Sequence, residues 1–491
     1  MLRKHAASLA LGAGAVVFAA ACNIDEVLQV ENPSEIQIEN LDDPRLLQVQ
    51  LNGVIDRFTD AYVSPVIQYA NFLTDEMITG LNWEDYARAN QRIASWQEGP
   101  TNGIFGSLSQ AHRMGLSLVD RIRGWAAADP NKDLRAELAT SLVFAGYSAV
   151  ILAENTCQAV FSPDPDKPSG TVLSQLETFA AAVPYLEEGL TTALAVGNTS
   201  VANLARTGLA RAYLGQGSWA QAATYASQVP SNFTWWIRFV DLPGGRNPLQ
   251  GTSQGGNFTH GIHPAFMGVH PSFSGTGFKF KDQNIVAPQT DPRIQHHTRW
   301  STGHNGLTPL YKFFQGLRYS EYTGQTIAPA SASCPRCTGT AVTAMRFLTN
   351  FDTDVKLADY VEAQHQYYEA LAMQNLAANE AAILAFVNAR RDVGNQAAVT
   401  LSGRALLNEL RNQRARDLFM GGFRLGDLRR WTRFDPGNGP FANGSYFPTG
   451  THPNTQWGEY GIWTCYPIPR QEYEGNPNLP KPANPDVPPG I

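Results

Sequence analysis

Charge is scarce in this chain of 491 residues: only 16% of side chains are Asp, Glu, Lys or Arg, and 37 bases face 43 acids. A net charge of −6 argues against nucleic acid or an anionic lipid surface as the partner, because both are held through basic excess. A hydrophobic content of 43% excludes a disordered chain. Long apolar runs are missing after Ala21, so no later stretch is expected to cross a membrane. There is no GxxxxGK[ST] loop and no GxGxxG between a strand and a helix, which removes the common nucleotide-binding loops. HExxH is absent too. His260, His263, His270, His296, His297 and His304 fall in loop-like sequence without a carboxylate at helical spacing, so they are expected to be surface histidines and no metal is assigned. Gly251-Thr-Ser253-Gln-Gly255 fits GxSxG, but no apolar strand precedes it and no helix follows; no catalytic residue is assigned and no cofactor is expected.

Cysteine is rare as well, with five in all. Cys334-Pro-Arg-Cys337 is half a zinc site, and no convincing helix follows it to lower a thiol pKa. A local clip between Cys334 and Cys337 is expected, with a Cys157–Cys465 bond as the open alternative. The fifth, Cys22, follows Arg3, Lys4 and the apolar run Leu9–Ala21, which is too short to span a bilayer but suits the core of a signal peptide. Ala19-Ala20-Ala21-Cys22 resembles a bacterial lipobox, which would make Cys22 the acylated first residue after removal of residues 1–21; an ordinary secretion signal is the alternative. Removal lowers the net charge from −6 to −8, since Arg3 and Lys4 leave with no acid. Residues 22–40 are polar and acidic and read as a tether.

Helical periodicity begins near Asp42, where Leu46, Leu47, Val49, Leu51, Val54, Ile55 and Phe58 leave few polar positions on one face. A second run extends from Leu134 to about Phe161. Leu209-Ala-Arg-Ala-Tyr213-Leu-Gly-Gln-Gly217-Ser-Trp219-Ala-Gln-Ala222 has the tetratricopeptide order: a large residue, a glycine turn, an aromatic, then a small residue where two helices cross. Residues 357–394 read as another helix pair with a break near Ala377–Asn379, and Asp354 is expected to cap its first helix. Between Pro230 and about Asp352 the chain is rich in Gly, Pro, Asn and aromatics without a helical period, an irregular region of functional length.

The most informative stretch is Ser402–Trp431. Leu406, Leu407, Leu410 and Leu418 mark an apolar face, while Arg411, Arg414, Arg416 and Asp417 crowd the rest, suiting either a solvated face or an ion-pair knot. Gly421-Gly422 stops this helix, and Gly426, Asp427, Arg429, Arg430 and Trp431 form a second, shorter one. Gln413-Arg414, Asp417-Leu418, Gly421-Gly422, Arg424 and Asp427-Leu428-Arg429-Arg430-Trp431 resemble the C-terminal signature of the SusD/RagB family of outer-membrane nutrient-binding lipoproteins. Gln413 and Gly421 stand where that family has glutamate, and Asp417 is a shortened one. Tyr466-Pro467-Ile468-Pro469 and Asn476-Pro477-Asn478-Leu479 resemble its closing segment, and Asp291-Pro292-Arg293 a triplet common in its irregular region. The resemblance implies a mainly α fold, a tetratricopeptide-like helical-repeat scaffold with long irregular loop-rich insertions, forming one domain over residues 41–491. It also implies a surface-exposed lipoprotein of the outer membrane that captures oligosaccharides or similar polymer fragments, binds without chemistry, and delivers cargo to a SusC-like TonB-dependent transporter. Peptide cargo and a purely scaffolding role stay open.

Sugars present an apolar C–H face that stacks on aromatic rings, with hydroxyls bound by nearby polar groups. Trp83 and Tyr86, beside Asn82, Glu84 and Asp85, have that mix. So do Trp300 and Tyr311, which flank the polar loop STGHNGLTP and stand near Arg299 and Asn305. These four aromatics are the expected ligand-binding residues, whereas Trp219 is assigned to the repeat core and Trp431 to the structural motif.

Overall fold

The computed structural model describes residues 40–79, 83–161, 170–242, 244–249, 260–263, 291, 293–294, 296–302, 309–313, 352–452, 458–485 and 487–489. The chain divides into two units, Met1–Leu47 and Gln48–Ile491. In the first, Asp43 caps a 3-10 turn over Pro44–Leu46 by accepting from Arg45 N at 2.9 Å.

The second unit is built from helices that pack on their sequence neighbours. Helix α1 (Leu47–Ala61) runs on through a wide π turn, Tyr62–Tyr69, into Ala70–Phe72. Pro65 lies inside that turn, and a wider turn tolerates its missing N–H. After the short strand β1 (Met77–Thr79) come α2 (Glu84–Asn90), α3 (Gly99–Ala128) and α4 (Arg135–Asn155). A hairpin of β2 (Gln158–Phe161) and β3 (Thr171–Ser174) leads into α5 (Gln175–Ala195), whose Ser174 and Glu177 form a capping box. Helices α4 and α5 cross closely: a β-carbon on Gly146 would stand 2.6 Å from Leu186 Cγ, and one on Gly189 2.7 Å from Val143 Cγ2. Any larger residue at either position would force the pair apart.

The tetratricopeptide-like stretch folds as its residue order implies. Helix α6 (Thr199–Gln216) ends at Gly217 in the left-handed region, φ 76°, and α7 (Trp219–Ala226) turns back along it. Ala222 is buried in a cluster with Leu214 and Ala370, and Trp219 meets Phe434 edge-on at 5.1 Å.

Strand β4 (Thr234–Ile237) pairs with β8 (Val355–Asp359), which feeds α8 (Tyr360–Val393). The expected cap is corrected here. The residue that caps α8 is Asp359, accepting from Glu362 N at 2.8 Å, because residues 355–359 are drawn into a strand; Asp354 instead accepts from Phe239 N and Arg238 across the β4–β8 pair. The expected break falls at Asn375, whose φ of −164° interrupts the helix and whose side chain caps the next turn at Ala378. Strands β5 (His260–Ile262), β6 (His296–Thr302) and β7 (Pro309–Phe313) join β1 in a four-stranded sheet of order β1-β5-β7-β6.

The expectation about apolar runs also needs correction. Both α4, at mean hydropathy 1.6, and α8, at 1.3, are long and apolar enough to cross a membrane. Alanine-rich composition hides this from a reading that looks for large aliphatics. In α4 the apolar window is 78% buried within the protein, as expected of a core helix, and in α8 the Asn375 kink interrupts the apolar length.

Helices α9 (Gly403–Asp417) and α10 (Arg424–Phe434) carry the buried charges. Arg411, Arg414, Arg416 and Asp417, on the polar face, are all buried, so this face is an ion-pair knot rather than a solvated surface. Asp417 accepts from His365 Nε2 at 2.6 Å, from Arg390 at 2.6 and 2.7 Å and from Arg293 at 3.0 Å. Burial alone would raise its pKa, but these partners hold the carboxyl well below its usual range. Asp291 holds the Arg293 guanidinium at 2.7 Å, and it is the Arg293 bond to Asp417 that docks the irregular region on α9. Asp427 accepts from Arg414 and Arg430, and Glu369 accepts from Arg430 and from Trp431 Nε1 at 2.7 Å. Arg429 donates to Ala153 O and Glu154 O at the carboxyl end of α4. Gly422, φ 77°, makes the turn between the two helices.

The C-terminal segment closes on the helix core. Tyr466 forms a parallel bridge with Thr156, and Cys157 is disulfide-bonded to Cys465, 308 residues away. This is the alternative pairing; Cys334 and Cys337 lie outside the described residues. A final helix, α11, spans Arg470–Gly475.

Candidate functional site

Trp83 immediately precedes α2 and is 57% exposed, a large apolar ring left open to solvent. Its ring meets Tyr86 edge-on with centroids 5.1 Å apart. Tyr86 in turn packs against Phe72 at 5.3 Å and Tyr69 at 5.4 Å, and the Tyr86 and Tyr69 hydroxyls hydrogen-bond at 2.8 Å. Burial and that hydrogen bond push the Tyr86 pKa up, so it stays a neutral phenol. The result is a ledge with one exposed ring backed by three fixed ones.

Polar contacts hold the ledge still. Asp85 accepts from Gly99 N at 3.1 Å, joining α2 to the start of α3, and Arg88 pairs with Glu98 at 2.6 Å. Asn90, at the other end of α2, donates to Phe72 O and Met77 O and accepts from Thr79 N at 3.1 Å. That one carboxamide ties the ledge to strand β1. Glu84 is exposed beside Trp83, while Asn82 lies outside the described residues.

Trp300 and Tyr311, expected to flank a loop, are direct partners on β6 and β7. Tyr311 is also paired with Ile262 on β5, and Ile262 with Met77 on β1. Met77, Ile262, Tyr311 and Trp300 therefore make one row across the sheet, roughly 14 Å long at the usual strand spacing. Trp83 follows from the end of that same β1. The backbone thus connects both expected aromatic pairs to one sheet, although the sequence separates them by more than two hundred positions. Asn305 and residues 251–255 lie outside the described residues.

Several residues were not legible beforehand. Tyr69 and Phe72 read only as the tail of the first helix, although their spacing of three places them together on a helix face. Trp235 and Trp236 line a groove of about 500 Å³ with Asn52, Asp56, Thr59 and Arg238. Strand alternation would send two adjacent tryptophans to opposite faces, but a bulge lies between them in the β4–β8 register. His263, expected at the surface, is fully buried, with Nε2 3.0 Å from the Tyr460 hydroxyl. Burial lowers its pKa to about 3, so it is neutral. Among the described residues, no three His, Cys, Asp or Glu side chains are grouped to hold a metal.

No protein-family model matches the sequence, and no curated protein matches it. Solved structures do. A SusD superfamily protein from Parabacteroides distasonis superposes with a TM-score of 0.61 at 14% identity, covering 91% of this chain and 100% of its own. A SusD homolog from Bacteroides thetaiotaomicron gives 0.60 at 14% identity, covering 91% and 98%. A laminarin-binding SusD-like protein gives 0.57 at 14% identity, covering 90% and 99%. At these identities the likeness is one of fold.

Proposed function

We propose that this chain, which has the fold of the SusD superfamily, is a lipid-anchored binding protein of the outer-membrane surface. It captures oligosaccharides or similar polymer fragments, without chemical turnover, and hands them to a SusC-like TonB-dependent transporter. The observation that carries the binding role is the Trp83 ledge. An isolated exposed tryptophan on a mobile loop would lose much of its stacking energy in being ordered, whereas this ring sits on a rigid base of Tyr86, Tyr69 and Phe72. The glycan class is supported by the carbohydrate-binding and laminarin-binding descriptions of structures with the same fold. Trp300 and Tyr311 are assigned to the same site because their strands belong to the sheet whose β1 leads to Trp83. Acylation at Cys22 and transport partnership follow from the lipobox-like segment and the C-terminal motifs.

The test is calorimetric titration of the wild-type protein with a panel of oligosaccharides and peptides, alongside affinity purification of tagged protein from detergent-solubilised outer membranes. Glycan binding that Trp83→Ala weakens, with a transporter recovered in near-stoichiometric amount, is the expected result. Peptide binding alone, or turnover of any captured substrate by the pure protein, would overturn it.

A further inference from the structure

A cleft of about 340 Å³ lies away from the ledge, bounded by α3, the β2–β3 hairpin, α5 and α11. Its volume is near the lower end of small-molecule sites. Two polar groups one helical turn apart on α3 line it. Ser109 is nine-tenths buried, 9% exposed, and its Oγ has no hydrogen-bond partner among the described residues. Leaving a hydroxyl buried without a partner is costly, so such a group on a cleft wall points to something that binds there.

The second is His112, buried with its ring stacked on Phe161 at 4.3 Å. His112 Nδ1 lies 2.9 Å from Ala145 O. A carbonyl only accepts, so Nδ1 carries the proton and donates it. Burial lowers the pKa of the ring to about 4, so the imidazole is neutral and Nε2 is a lone-pair acceptor. No described residue hydrogen-bonds that nitrogen. The cleft thus offers one hydroxyl, able to donate or accept, and one acceptor, with the Tyr185 ring beside them, edge-on to His112 at 5.8 Å.

Charge narrows the ligand class. Arg123 is spent on Glu188 through two 2.8 Å hydrogen bonds, with Asp120 also 3.8 Å away. Arg113 and Glu472, both on the cleft wall, interact with opposite sign. An anion would meet Glu472 and Asp120, and a cation would meet Arg113, so neither is favoured.

We propose that this cleft is a second binding site, for a neutral hydroxyl-bearing ring the size of a single sugar, hydrogen-bonded by Ser109 and His112 and laid against Tyr185. The site does not depend on the Trp83 ledge. Its test is saturation-transfer NMR with glucose, galactose, mannose, xylose and myo-inositol, each titrated into wild-type protein and into Ser109→Val, Tyr185→Ala and Trp83→Ala variants. At least one probe is expected to bind the wild type. Its affinity should fall about threefold to tenfold in Ser109→Val, as the loss of one neutral hydrogen bond implies, and fall in Tyr185→Ala, while the Trp83→Ala titration shows how much of the signal belongs to the ledge. Thermal midpoints of the variants confirm that each is folded. If none of the five probes binds, if a bound probe keeps its wild-type affinity in both Ser109→Val and Tyr185→Ala, or if it is lost only in Trp83→Ala, the cleft is not such a site.

Discussion

The guanidinium of Arg424 and the carboxylate of Asp75 meet through two hydrogen bonds of 2.7 Å, across 349 positions of sequence and with both groups buried. Asp75 stands two residues before β1, so this pair fastens the C-terminal helices to the edge strand that precedes Trp83 in the chain. Arg424→Met leaves a buried carboxylate without its partner and should cost about 3–5 kcal/mol in denaturant unfolding. Asp75→Leu with Arg424→Met should recover much of that loss, because the Asp75 carboxylate is no longer left without its partner. Strict additivity of the two single changes would show that the pair is not coupled.

The buried histidines make stability fall on mild acidification. Burial lowers His112 to about 4 and His263 to about 3, from an ordinary 6.5. The folded protein keeps both neutral, while the unfolded chain takes up protons below about pH 6.5. Their contribution is therefore complete above that pH and is lost as the pH drops towards 4 and 3. The slope should be on the order of 1 kcal/mol per pH unit for each histidine. His365 is also lowered, by burial against the opposing pull of Asp417, and adds with the same sign. Further down, burial tends to raise Asp427, but Arg414 and Arg430 hold it at about 2, so its contribution disappears only in strong acid. Unfolding midpoints measured from pH 7 to pH 4 check this, and a flat profile contradicts it.

Trp83→Ala should weaken glycan binding about tenfold to a hundredfold, the range of an aromatic anchor. Its thermal midpoint should barely move, since a ring 57% exposed contributes little to the core. Trp300→Ala is expected to weaken binding as well. Calorimetric titration of both variants decides, and wild-type affinity in both removes the site assignment.

Reduction of Cys157–Cys465 should destabilise the protein by about 2–5 kcal/mol, because the bond closes a very long loop in the unfolded chain. Non-reducing peptide mapping should recover the two cysteines in one linked peptide. A thermal midpoint indifferent to reductant would show that the bond is absent or without effect.

Helix positions near the C-terminus were readable because periodicity and glycine punctuation are local signals: the expected helices over 402–431 appear as Gly403–Asp417 and Arg424–Phe434, with Gly422 turning between them. What those helices face was not readable. Arg414 and Asp417 look like surface residues until Asp427, His365, Arg390 and Arg293 arrive from three other segments, and no periodicity encodes that meeting. Asp354 has the same lesson at smaller scale: a cap and a strand-pairing carboxylate look alike until Phe239 is known to be its neighbour. At the candidate site, Trp83 and Tyr86 could be picked out by composition, but Tyr69, Phe72 and Asn90, which make the ledge rigid, were hidden because helices and a strand bring them together.

The clasp between Cys157 and Cys465 also decides how the molecule would carry a mechanical load. Tension applied between the two ends of the oxidised chain would pass from residue 157 to residue 465 through the sulfur atoms and bypass everything between them. At full extension the oxidised chain would be shorter than the reduced one by roughly 1,000 Å, taking about 3.4 Å per residue. The loop under no tension contains α5 to α10 and the strands that bear Trp300 and Tyr311. A protein pulled by its two ends would thus keep most of its scaffold slack, while helices α1 to α4 and the Trp83 ledge took the strain.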